Sequence, residues 1–255
     1  MSGHSKWATI KHKKGAADKA RGKLWAKLVR NIEIAAREGG GDPGANPTLR
    51  TMITKAKSES VPSDKIENAV KRGTGELKAD MVLEAITYEG YAACGVAVLV
   101  EVSTDNRNRT GSEVRTVFSR SGGNMSEPGA VAWQFNRKGV IIVPKRKAGK
   151  EITEEDLMLS ALDAGAEDII DNGDSWELRC PPNMIGEVVE ALGGAGIAFD
   201  SVERPMVPST SVPLTNVDDA RKVLKVIEAL EDHDDVEEVY SNFDISDDIF
   251  AALEV

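Results

Sequence analysis

The apolar positions along the chain change their period twice. From Asp18 to Glu38 the stretch "DKARGKLWAKLVRNIEIAARE" places Leu24, Leu28, Ile32 and Ala35 at helical spacing, with Trp25 and Val29 widening the stripe. This predicts an amphipathic helix with Lys23, Lys27 and Arg30 toward its other side. "GGGDPGANP" ends it, because a run of glycines and two prolines cannot continue a helix. A second helix is expected after Pro47, with Leu49, Met52, Ile53 and Ala56 inward and Pro62 as its stop. "PSDKIENAVKRGTGE" predicts a short third helix, with Ser63 or Asp64 capping its start and Gly73 supplying a left-handed residue past its end.

Near residue 80 the period shortens to that of strands. "VLEAITYEGY" and "CGVAVLVEVST" read as an antiparallel hairpin, the second run having the length and β-branching of a buried strand. "NRTGSEVRTVFSRSGG" then predicts a helix with Val114, Val117 and Phe118 inward, closed by Gly122 and Gly123. From about Trp133 the order is strand "GVIIVP", helix "TEEDLMLSALDAGA", strand "EDIID", turn "NGD", strand "SWELRCP", helix "NMIGEVVEALGGAG" and strand "FDSVERPMVP". Thr153 with Asp156 resembles a capping box, and "NG" is a strong hairpin signal. The order βαββαβ is the split βαβ, or ferredoxin-like, unit. After "PMVPSTSVPL", Asn216 and Asp219 cap a helix with Ala220, Val223, Ile227 and Leu230 inward, and "VEEVYSNFDI" supplies a last strand.

The expected fold is α+β: an N-terminal three-helix domain over 1–79, followed by two ferredoxin-like α+β domains, the last inserted into the middle one. The middle domain comprises 80–131 plus 207–255, and the insert covers 132–206. The discontinuity follows from size, since neither flanking piece alone can bury a core.

At 255 residues, 41% of them hydrophobic and 29% charged, the chain has a globular composition with room for more than one core. It lacks a run of about 18 apolar residues that could span a membrane. Its N-terminus has no apolar signal core and reads as part of the mature protein rather than a transit peptide, so a cytoplasmic location is expected. Cys94 and Cys180 each sit in an apolar strand-like segment, the pattern of buried structural thiols in a reducing compartment, although a disulfide between them stays open.

Charge alters this picture. The formal net charge is -10, yet residues 1–80 hold 17 Lys plus Arg against 9 Asp plus Glu, and the remainder 15 against 33. Such asymmetry is the footprint of a nucleic-acid-binding segment on an acidic body, and the acidic part repels phosphates from the wrong face.

Catalytic constellations are missing. Of the three histidines, His4 and His12 lie in the basic arm, where His12 suits phosphate or solvent. His233 in "EDHDD" is either a weak cation site or a solvated turn. No Cys or His pair has zinc spacing, and no Gly-rich loop matches a P-loop or dinucleotide fingerprint. The expectation is a protein that is not an enzyme and carries no metal or cofactor.

Polyanion chemistry is present. The arm supplies Lys6, Lys11, Lys13, Lys14, Lys19, Arg21 and Lys23 as phosphate partners, continued by Lys27 and Arg30, with Trp7 either a stacking platform or a plug in the helical bundle. Five neutralised phosphates would give a slope of log affinity against log salt of about -4 on duplex DNA, and a shallower one on single strands. In "TDNRNRT", Asp105 or Asn106 can cap the following helix, while Arg107 and Arg109 occupy its first turn. Cations there are locally unfavourable, so either an anionic ligand binds them or they pair with the acidic body.

The segments "SGHSKWATIKHKKGAADKARGKLWAKL", "GGGDPGANPTLR", "IENAVKRGTG", "YEGYAACGVAVLVEVSTDNRNRT" and "SEPGAVAWQF" closely resemble the YebC family, which includes the mitochondrial translational activator of cytochrome oxidase. The resemblance covers practically the whole chain. It implies three domains, one helical and two α+β, in a non-enzymatic cytoplasmic regulator, described in some members as a DNA-binding transcriptional regulator. In others it is a ribosome-engaging translation factor that helps synthesis through proline-rich stretches. Position by position, the family's basic motif falls on His4 through Lys23 and its arginine loop on Arg107 and Arg109. Phosphate chemistry alone does not choose between ribosomal RNA or tRNA and duplex DNA. With no helix-turn-helix or coiled-coil dimer in view, a monomer with a flexible lysine arm suits irregular RNA on the ribosome better. Transcriptional control of DNA is the alternative, and a protein scaffold working through the acidic domains is the third reading.

Overall fold

The computed structural model describes residues 18–77, 83–147 and 150–253. Three helices come first: α1 (Asp18–Gly39), α2 (Pro47–Ser58) and α3 (Ser63–Gly73). Leu28, Ile32, Ala35 and Ala36 of α1 close on Leu49 and Ala56 of α2 and on Ile66 and Ala69 of α3. Asn46 seals the joint, accepting from the Leu49 N–H to cap α2 while its amide donates to Ala35 O and Gly40 O, both at 2.8 Å.

The end of α3 differs from the sequence expectation. Gly73 remains inside the helix, and the left-handed residue is Gly75 at φ +81°. Gly73 serves close approach instead: a Cβ there would lie 2.4 Å from Glu33 O and 2.7 Å from the Ala36 Cβ. Neither Ser63 nor Asp64 caps the start, where Pro62 holds the N-cap position without a side-chain hydrogen bond.

The next sheet is built from β1 (Glu84–Tyr91), β2 (Ala97–Thr104), β3 (Asn124–Ser126) and β13 (Val236–Ser241), in the spatial order β13-β2-β1-β3. Every neighbouring pair is antiparallel. Helices α4 (Arg107–Ser121) and α7 (Val217–Glu231) cover one face, where Val98, Val100 and Val102 meet Val114, Phe118, Val223 and Ile227. On the other face Ala97, Leu99 and Tyr240 pack against Val131 and Phe135. Strand β2 is thus buried on both sides, as its continuous apolar run requires.

A second four-stranded sheet lies between those parts in sequence. Strands β5 (Gly139–Pro144), β8 (Asp168–Asp171), β9 (Ser175–Cys180) and β10 (Ser201–Glu203) stand in the order β10-β5-β9-β8, all antiparallel. Helices α5 (Glu154–Ala161) and α6 (Ile185–Gly194) cover it through Leu157, Ala161, Val188 and Leu192. This is the ferredoxin-like order, and the capping box at Thr153 and Asp156 forms as expected. The first sheet has the same spatial arrangement, except that the strand beside β3 is β1, drawn from before the first helix rather than after it.

The predicted strand "FDSVERPMVP" is split at Arg204 and Pro205 into β10 and β11 (Met206–Pro208). Strand β11 pairs with β4 (Phe135–Arg137), so the chain enters and leaves the second sheet side by side. The remaining elements are the short β6 (Arg146–Lys147) and β7 (Lys150–Glu151), β12 (Val212–Leu214) parallel to β14 (Phe243–Ile245), and α8 (Asp247–Leu253). Among the described residues no helix is long and apolar enough to cross a membrane. Cys180 is buried and free as the sequence suggested, but Cys94 is exposed and free, in a short turn at φ +59° rather than a strand.

Candidate nucleic-acid interface

His4, Lys6, Trp7, Lys11, His12, Lys13 and Lys14 lie outside the described residues, and the same holds for the side chains of Lys19, Arg21 and Lys23 on the first turns of α1. The structure places the other four candidates, and three of them converge on one turn.

Helix α1 turns its apolar stripe toward α2 and α3, which leaves Lys27 and Arg30 facing the turn between α7 and β13. Lys27 Nζ donates to Glu231 O at 2.9 Å. Arg30 Nη1 donates to Asp234 O at 3.1 Å and Ser103 O at 3.3 Å, and stands 3.7 Å from Asp235 and 3.8 Å from Glu237. From the opposite side Arg109 Nη2 donates to Asp235 at 2.9 Å and to Asp105 at 2.9 Å. Two arginines assigned to phosphate from the sequence therefore meet on one carboxylate of the same molecule. The physical reason is proximity: β13 brings an acidic turn beside both of them, and a fixed carboxylate needs no recruitment from solution.

Asp235 is only 7% exposed. Burial pushes its carboxyl up, but the Thr110 hydroxyl at 2.6 Å, the Arg109 guanidinium and the charge of Arg30 outweigh that and hold it below the usual carboxylate range. His233 belongs to the same cluster. Its Nδ1 accepts the Asp235 N–H at 3.1 Å, which assigns the ring proton to Nε2, 3.1 Å from Glu113 Oε2. Ligand atoms of Glu113, His233 and Asp235 lie within 4.8 Å of one another. Arg109 reaches both carboxylates, at 3.9 Å and 2.9 Å, so a guanidinium already supplies the positive charge that such a cluster attracts.

Arg107 is placed differently. Asn106 caps α4 by accepting from the Arg109 N–H at 3.1 Å, which points the first residue of the helix outward. Its side chain is 66% exposed and pairs at 3.2 Å with Glu84, itself 54% exposed. A pair that open to water contributes little.

Sequence reasoning missed several groups near this seam. Lys55 of α2 stands 3.8 Å from Glu238 and 4.0 Å from Glu203, adding a second tether to β13. Arg50, Lys57 and Lys71 are exposed on the helical unit. Trp133 is 72% exposed on the loop after β3, inside the quoted "SEPGAVAWQF". That loop is fixed from beneath by Glu89, whose carboxylate accepts from the Gly129, Val131 and Ala132 N–H groups at 2.6, 2.6 and 2.7 Å. Burial would raise the Glu89 carboxyl, but the three N–H groups prevail and hold it below its ordinary value. No local signal marks Glu89, because its partners lie about 40 residues on.

Relatives extend over the whole chain. A protein from Mycolicibacterium smegmatis named "Probable transcriptional regulatory protein" is 54% identical over 100% of this chain and 99% of its own. A Thermobifida fusca protein of the same name is 54% identical over 99% and 100%. The crystal structure of a conserved hypothetical protein from Aquifex aeolicus superposes with a TM-score of 0.82 at 44% identity, covering 94% of this chain and 97% of that one. The profile of the TACO1/YebC N-terminal domain matches residues 5–76, and that of the TACO1/YebC second and third domain matches residues 83–243. With both profiles matched in order and relatives above one-half identity end to end, this chain belongs to the YebC/TACO1 family.

Proposed function

We propose that this protein is a non-enzymatic, nucleic-acid-binding regulator of gene expression that acts on RNA at the ribosome. The observation that carries this reading is the confinement of positive charge to the N-terminal part of an otherwise acidic molecule, 17 Lys plus Arg against 9 Asp plus Glu over residues 1–80 within a net charge of -10. The phosphate-binding set is His4, Lys6, Lys11, His12, Lys13, Lys14, Lys19, Arg21 and Lys23, with Trp7 stacking on bases and Arg107 joining from α4. Lys27, Arg30 and Arg109 act indirectly. By gripping the turn before β13, Lys27 and Arg30 hold the helical unit on the acidic body while Arg109 fixes that turn from α4, so the basic arm meets its target in one orientation. A role in synthesis through proline-rich stretches rests on the family resemblance alone.

The name of the relatives, probable transcriptional regulatory protein, favours DNA-level control as the second reading. Both are tested by sedimenting the full chain with ribosomes, with and without ribonuclease, beside a titration on duplex DNA at two salt concentrations. Ribonuclease-sensitive co-migration that is lost when Lys11, Lys13, Lys14 and Lys23 are changed to Ala is the expected result. A footprint on a specific duplex without ribosome association would reverse the order. An alanine variant with intact activity would remove nucleic acid altogether and leave a protein scaffold.

A further inference from the structure

The second sheet carries on its helical side a surface that nucleic acid does not explain. Helix α5 buries Leu157 and Ala161 against the sheet, yet Met158, Leu159 and Leu162 point outward with exposures of 43%, 78% and 46%. Positions 158, 159 and 162 share one flank of a helix, so the three side chains form a continuous apolar stripe rather than scattered exceptions. The stripe is bordered by the exposed Glu154, Glu155 and Asp163, and the neighbouring α6 adds the exposed Glu187 and Glu190. Among the described residues no cation stands within ion-pair distance of any of these five carboxylates.

Composition makes this rim general. Residues 151–203 contain 14 Asp plus Glu and a single cation, Arg179. Arg179 is itself occupied by Glu177 at 2.7 Å. An apolar stripe inside so one-sided a field is repelled by phosphate backbones and by anionic lipid surfaces, and attracts positive charge. Low relief on α6 favours close approach of a partner: a Cβ added at Gly186, Gly193 or Gly194 would meet nothing within 4 Å.

From this charge complementarity we infer that the outer face of α5 is a docking site for a lysine- and arginine-rich amphipathic segment of a partner protein. The partner's apolar residues cover Met158, Leu159 and Leu162, and its cations pair with Glu154, Glu155 and Asp163. The site is separate from the basic arm and does not depend on which nucleic acid that arm grips, so the molecule can bridge a polyanion and a polycationic protein.

The test uses the full chain with labelled methionine methyls and three synthetic peptides of equal length: a helical peptide with leucines on one face and lysines on the other, its glutamate counterpart, and a lysine peptide without leucines. The leucine–lysine peptide is expected to shift the Met158 methyl on titration, and Leu159→Ser is expected to weaken that binding about tenfold. Both other peptides should bind at least tenfold more weakly. Because Leu159 is 78% exposed, the substitution leaves the core intact, and an unchanged melting temperature verifies this. Equal binding of the lysine peptide, an unmoved Met158 methyl, or indifference to Leu159→Ser would overturn the inference. So would sedimentation showing that the stripe pairs with a second copy of the chain and that Leu159→Ser abolishes the pairing.

Discussion

Replacing Glu237 by Gln should raise stability at alkaline pH and flatten its pH dependence. Glu237 lies on β13 where the helical unit docks, its side chain 10% exposed. Neither of its carboxylate oxygens has a hydrogen-bond partner in good geometry, and Arg30 stands 3.8 Å away. Burial pushes its pKa from 4.5 up to about 7, against the weaker opposing pull of Arg30, Lys27 and the Asn31 side chain and with a small push from Glu238. The folded value exceeds the unfolded one, so the contribution of this group is fully present below about pH 4.5 and is lost as pH rises through about 7. At about 1.36 kcal/mol per unit, the ionised form costs roughly 3 kcal/mol, of which about 2 kcal/mol develops between pH 5.5 and pH 8. Glutamine has the same shape and cannot ionise. Urea denaturation of both proteins at the two pH values, followed by circular dichroism, gives a double difference from which all other titrating groups cancel. A double difference of about 2 kcal/mol in favour of the variant at pH 8 is expected. Parallel pH dependence in the two proteins would refute the reasoning and show that water reaches the Glu237 carboxylate.

Two further substitutions probe the scaffold beneath the candidate surfaces. Glu89→Ala strands three N–H groups of the loop carrying Trp133 and should cost about 3 kcal/mol or more, with amide exchange at Gly129, Val131 and Ala132 accelerated at least about a hundredfold. In the wild type the same anchor is present at neutral pH and is lost only as the solution falls through a folded pKa below 4.5. Gly73→Ala forces a methyl against the α1 backbone at Glu33 and should destabilise the helical unit by about 2 kcal/mol, read as a lowered melting midpoint. If the alanine variant melts at the wild-type temperature, the close packing of α1 on α3 is not what Gly73 provides.

The elements whose identity is local were legible from the sequence. The 3.6-residue stripe of Leu28, Ile32 and Ala35 marks α1, the run from Ala97 to Thr104 marks a strand buried on both faces, and Thr153 with Asp156 marks the start of α5. Where two residues compete for one role the pattern misleads: "GTG" offers two glycines for the left-handed position, and interhelical crowding at Gly73, invisible in sequence, decides for Gly75. Cys94 was misread for a related reason, since an apolar neighbourhood does not reveal that the backbone turns at that residue. The candidate interface was the least legible part, because its partners are remote. Arg30 meets the turn at Asp234 and Asp235 some two hundred positions away, and Arg109 reaches across 126 positions to Asp235. Counting charges shows that cations are concentrated, but an acidic molecule satisfies first those that its own fold brings within reach of its carboxylates. Arg107 is held away from the acidic body by the N-cap of α4, whereas Arg30 and Arg109 are packed against it. For a protein of strongly divided charge, the position of a lysine or arginine relative to the internal carboxylates says more about its role than its membership in a basic run.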